Sequence, residues 1–166
     1  RLELQDEIAI AKSYNNLGNM YSMIKDYQKA LDYYYDAIKL YDKGGEEKLR
    51  SSVYNNIGII YREKGDLKKA EESFGIALKI SKELGLVYNH ANTSNEAART
   101  YLEMKKYEEA EKHLNSALSE AKKLNARNVV QESYQIFSEL YYAKKDFKNA
   151  YEYSKQFADL KDAIYG

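Results

Sequence analysis

SYNNLGNMY, residues 13–21, returns forty residues later as VYNNIGIIY, residues 53–61. In both copies a tyrosine precedes two asparagines, a branched apolar residue and a glycine, and a second tyrosine follows three positions on. Asn is a mediocre helix former, because its side chain competes with the backbone for hydrogen bonds. A pair kept twice at one phase needs a physical reason, and the repetition itself points to the fold.

Extending the forty-residue step gives Leu17, Ile57, Ala97 and Phe137, then Gly18, Gly58, Ala98 and Ser138, all small. Tyr21, Tyr61, Tyr101 and Tyr141 recur without exception, as do Ala30, Ala70, Ala110 and Ala150. No insertion disturbs the register. Within a unit, Tyr27, Ala30, Leu31, Tyr34, Ala37, Ile38 and Tyr41 follow the i, i+3, i+4, i+7 spacing of one helix face. Gly45, Gly85 and Asn125 share a phase suited to the left-handed conformation just past a helix end. Asp26, Asp66 and Asp146 are placed to cap the helix that follows, with Lys106 the exception.

The reading is all-α, with four helix-turn-helix units at about 7–45, 46–85, 86–125 and 126–164. First helices are predicted near 7–23, 47–63, 87–103 and 127–143, and second helices near 27–42, 67–83, 107–123 and 147–163. Gly18 and Ala30 fall where the two helices of a unit cross, and small residues there let the backbones approach. One helix pair cannot bury such a face alone, so the units are expected to stack into an α-α superhelix. Residues 1–5 align with the tail of a preceding second helix, and Arg1 stands where a complete chain has Met. Both features lead to the expectation of an excised fragment with a further repeat upstream.

Composition narrows the function. The 26 Lys and Arg balance 26 Asp and Glu, whereas a nucleic-acid binder shows a basic excess, so no nucleic-acid partner is expected. There is no Cys and there are two His, so no metal or cofactor is expected. His113, near Glu109, and His90 read as surface contacts. No apolar run is long enough for membrane insertion, and no signal-peptide pattern opens the chain; the compartment is left open, with a cytoplasmic location favoured. Nucleophile motifs, phosphate loops and H-E-x-x-H spacing are missing, so no enzyme is expected. The 18 Tyr recur at packing phases and not as a stacking platform for bases.

Tyr14-x2-Leu17-Gly18-x2-Tyr21 with Ala30-x3-Tyr34, and Tyr54-x2-Ile57-Gly58-x2-Tyr61 with Ala70-x3-Phe74, resemble the tetratricopeptide repeat. The resemblance is fair in the third unit and weaker in the fourth. A period of 40 and the absence of a closing proline set the chain apart from the usual 34-residue repeat. They are similar to the longer repeats of kinesin light chains, GoLoco-binding polarity adaptors and bacterial peptide-sensing regulators. The closing stretch AYEYSKQFADLKDAIYG resembles the last repeat of bacterial signalling proteins, in which such repeats precede an output domain. Ala37, Ala77 and Ala117 give way there to Phe157, whose size implies a different neighbour: a cap, a homodimer partner or an output domain.

The resemblance implies a non-catalytic scaffold for a protein or an extended peptide, held in a concave groove lined by the first helices. The implied groove residues are Asn15, Asn19 and Ser22; Asn55, Ile59 and Arg62; Asn95, Arg99 and Leu102; and Gln135, Glu139 and Tyr142. A primary amide offers donors and an acceptor, so a ladder of Asn15, Asn55, Asn95 and Gln135 can bond both polar groups of a peptide backbone. With first helices about 8–10 Å apart and about 3.3 Å per extended residue, each amide meets the peptide about every third residue. Arg62 and Arg99 are expected to pair ligand carboxylates, and the inner pair Asn16 and Asn56 is expected to serve packing. A chaperone-tail clamp would need Lys at positions 15 and 95, so that ligand is not expected. The alternative reading is a sensory or dimerisation module controlling an output domain.

Overall fold

The computed structural model of the chain describes residues 2–165, excepting the side chains of residues 2, 4, 164 and 165. Among the described residues there are eight helices joined by short turns. They are α1 (Leu2–Met23), α2 (Tyr27–Gly44), α3 (Glu47–Glu63), α4 (Leu67–Glu83), α5 (Val87–Glu103), α6 (Tyr107–Lys123), α7 (Arg127–Ala143) and α8 (Phe147–Tyr165). They fall into two compact units, residues 1–84 with α1–α4 and residues 85–166 with α5–α8.

The bounds follow the sequence phases except at the start. Residues 2–5, expected as the tail of a separate preceding helix, continue α1 without a break. Gln5 occupies the phase of Gly45, Gly85 and Asn125, and it stays helical where those three turn left-handed with φ of 70°, 64° and 54°. The capping aspartates act as read: Asp26, Asp66 and Asp146 accept from the backbone N–H three residues on, at 3.2–3.3 Å. Lys106 makes no such cap.

A second set of left-handed residues carries a sequence signal only at Gly65. Lys25, Gly65, Lys105 and Lys145, one residue before each cap position, all have φ near 60–78°. The conformation costs a lysine about 1 kcal/mol. It is offset by a bond that closes the preceding helix, from the next N–H to the tyrosine carbonyl of Tyr21, Tyr61, Tyr101 or Tyr141 at 2.8–2.9 Å. The tight turn folds each second helix back against its first.

That return brings a ring onto a glycine. A Cβ built on Gly18 would lie 2.5 Å from the Tyr34 ring, and one on Gly58 2.6 Å from the Phe74 ring. Both rings are buried. In the second unit the corresponding pair is Ala98 with Leu114, both fully buried, so a larger first-helix residue meets a smaller partner. Around these crossings the first unit packs Tyr41, Val53, Ile57 and Ile60. The second unit adds a ring stack, with Tyr153 at 4.5 Å from Phe137 and 5.6 Å from Tyr141.

Gly58→Ala is expected to lower unfolding free energy by about 1–3 kcal/mol, because the buried Phe74 ring must move. Adding Phe74→Leu rebuilds the Ala98–Leu114 pairing and should recover part of the loss. Urea titrations of both single variants and the double variant check this, and strictly additive losses would reject the steric coupling.

Candidate functional site

In the first unit, α1 and α3 present their polar residues around an open cleft of about 200 Å³ lined by Asn19, Ser22, Met23, Tyr34, Asn56 and Ile59. Its floor is a three-residue network. The Tyr34 hydroxyl donates to Asn19 Oδ1 at 2.7 Å, and Asn56 Nδ2 donates to the same oxygen at 3.2 Å. Burial pushes the Tyr34 pKa up to about 12, so the hydroxyl keeps its proton. Of the groove residues expected here, Asn19, Ser22 and Ile59 meet at this cleft. Asn56 packs α3 against α1, as expected, and also lines the cleft, whereas Asn16, expected to serve packing with it, is exposed on α1. Asn15 is half-buried with an unpartnered Oδ1, and Asn55 is 9% exposed with its Oδ1 likewise unpartnered. Arg62 keeps only 10% of its side chain exposed and lies 3.9 Å from Glu63.

The second unit departs from the expectation in two places. Asn95 is fully buried. Its Nδ2 donates to the Val129 carbonyl at 3.1 Å and its Oδ1 accepts from Ser133 at 2.8 Å. The amide holds α5 to α7 and does not face an open groove. Burial explains the difference: an amide enclosed between helices must be bonded by them. The second departure is Arg99, expected to be open to ligand carboxylates. Its Nε and Nη2 lie 3.4 Å from Glu132, and its Nη1 lies 3.7 Å from Glu139.

Glu132 is pushed up by burial and by the charge of Glu96, against the pull of Arg99. Gln135 is exposed and donates to Glu139 at 3.1 Å. Leu102 packs at the edge of the core, whereas Tyr142 is 69% exposed and meets Phe147 edge-on at 5.5 Å. Arg99, Asn128, Gln131, Glu132, Gln135 and Phe157 line an open cleft of about 300 Å³.

The histidines take structural places. His90 Nδ1 lies 2.9 Å and 3.0 Å from the two oxygens of Glu120. His113, read from sequence as a surface contact, is half-buried and stacks on Tyr101 at 5.2 Å, at the phase that Tyr33 and Tyr153 occupy elsewhere. Burial, and then the charge of Lys112, hold its pKa below the ordinary 6.5. Among the described residues no group of three or more His, Cys, Asp or Glu could hold a metal. Nor is any described helix long and apolar enough to cross a membrane.

Helix pairs repeating every forty residues, with open clefts beside their first helices, define an all-α helical-repeat scaffold. The chain belongs to the tetratricopeptide repeat family, whose patterns match residues 11–43 and 49–123. Among solved structures it is similar to BtubC (BKLC) from P. vanneervenii, with 20% identity and a TM-score of 0.84 over 94% of this chain and 65% of that one. The apo form of RapI aligns with 20% identity and a TM-score of 0.87 over 95% of this chain and 44% of that one. Aspartyl phosphate phosphatase F from Bacillus subtilis aligns with 14% identity and a TM-score of 0.89 over 95% and 42%. The chain thus spans between 42% and 65% of these proteins, and at such identities the likeness carries the fold alone. No curated protein matches it in sequence.

Two outcomes follow from the placements. Asn95→Ala should cost about 2 kcal/mol in a urea titration, since two buried bonds are lost, whereas Gln135→Ala should change stability by less than about 0.5 kcal/mol. A depressed folded pKa means that the unfolded chain takes up the His113 proton first, so stability is present above about pH 6.5 and falls as the pH drops below it. His113→Tyr keeps the ring stack and removes that titration. Thermal unfolding of the variant should therefore lose less stability than the parent between about pH 7.5 and pH 5.5, and an unchanged loss would rule His113 out as the source.

Proposed function

We propose that the chain is a non-catalytic binding scaffold that holds an extended peptide segment along the polar face of its first helices. The observation that carries this reading is the amide pair of the first unit. Both residues line the cleft, and with Asn19 Oδ1 and Asn56 Nδ2 taken up by the network, we read Asn19 Nδ2 and Asn56 Oδ1 as the donor and the acceptor for a ligand. An extended backbone offers one carbonyl and one N–H to match. Ile59 and Met23 add apolar surface beside them. The open clefts of both units support the same reading, as does the family's use as a protein-binding scaffold. Asn95 is left out of the binding set, and the Oδ1 atoms of Asn15 and Asn55 are buried, so neither oxygen is offered to a ligand.

Titration against a library of blocked, unstructured nonapeptides tests the proposal. Asn19→Ala should weaken the binders about threefold to tenfold, with helicity unchanged. A library without binders, or binders indifferent to Asn19→Ala, would reject it. A second reading, a dimerisation or control module, draws on the exposed rings of Phe147 and Tyr151 on α8. Light scattering would favour it by showing a concentration-dependent dimer that Tyr151→Glu abolishes.

A further inference from the structure

We propose that the cleft of the second unit receives a lysine or arginine side chain of the bound segment, so that this part of the surface selects basic peptides. The inference rests on the peptide-binding reading above.

Charge is the first ground. One guanidinium, Arg99, stands between two carboxylates, Glu132 and Glu139. The set therefore carries surplus negative charge, and Arg99 is already neutralised. A ligand carboxylate approaching Arg99 would meet both glutamates, whereas a cation would be drawn to them. Both glutamates are reachable, Glu132 with 27% and Glu139 with 45% of the side chain exposed. Glu132 is held loosely. Its contacts are long, 3.4 Å from Arg99 Nε and Nη2 and 3.5 Å from Asn95 Nδ2. Its raised pKa agrees with a carboxylate that lacks full compensation.

Shape and lining chemistry are the second ground. Asn128, Gln131 and Gln135 supply neutral donors and acceptors, and Phe157 forms an apolar wall, in a cleft of about 300 Å³. A basic side chain needs that combination: an apolar surface for its methylene stem and a carboxylate for its head, here Glu132, with Glu139 beside Arg99. One helical step beyond Glu139 on the same stripe of α7, the exposed Tyr142 ring offers a face for a second cation. Phe157 stands where the other units carry alanine, so this lining has no counterpart in the earlier repeats.

The test uses the whole chain and the same blocked nonapeptide library. Selected sequences should be enriched in Lys and Arg. Exchanging the basic residue of a binder for Glu should weaken it at least about tenfold, and affinity should fall as salt rises from about 0.05 to 0.5 M. In Glu132→Gln/Glu139→Gln the preference should shift toward the Glu version, because Arg99 is then uncompensated. Glu139→Gln alone, at the more exposed position, should give the same shift in smaller measure if the double variant folds poorly. Asn19→Ala in the first unit should weaken basic and neutral versions alike. Binders without basic enrichment, or binders indifferent to charge and salt, would overturn this inference and leave the peptide-binding reading standing. A library without any binder would overturn both.

Discussion

A ring laid on a glycine in each of the first two repeats governs what the rest of the structure can do. Tyr34 on Gly18 and Phe74 on Gly58 leave no room for a methyl group. Each second helix is thereby brought down onto its first, and the apolar stripe of the pair is buried on one side. The polar side of the first helix remains to meet the next unit or the solvent. Where the small residue grows to Ala98, the partner shrinks to Leu114, and both stay fully buried. The constraint is thus one of summed volume, as expected for interiors packed to crystal density.

The same crossing sets up the candidate site. Tyr34 reaches across Gly18 and puts its hydroxyl on Asn19, so the residue that fills the core of the pair also orients an amide at the cleft. Phe74 fills the corresponding space without a hydroxyl, and Leu114 without a ring. The three crossings therefore share a packing role, and only the first ties the core to the surface amides.

The forty-residue phase made the fold legible: helix ends, capping aspartates, small crossing residues and recurring tyrosines were all readable, because each follows from local geometry. The left-handed lysines were not, since nothing in a lysine favours that conformation and only the closing bond to the tyrosine carbonyl holds it there. The site was legible in part. Asn19, Ser22 and Ile59 share the face that the phase assigns them and meet at one cleft. Asn95 shares the phase too, yet the neighbouring α7 covers it and takes both ends of its amide. A repeat phase fixes direction around a helix; it carries no information on how closely the next helix approaches.

By itself, then, the sequence determined the helices, their pairing within each repeat and the family, since these depend on spacing along one chain. Tertiary structure decided which polar groups are already spent. Asn95 is committed to Val129 and Ser133, Arg99 to two glutamates, and His113 to a tyrosine ring, through partners about 12 to 40 residues away. Hydrogen bonding and ion pairing act over a few ångströms in space, so their partners are settled only when the helices have packed.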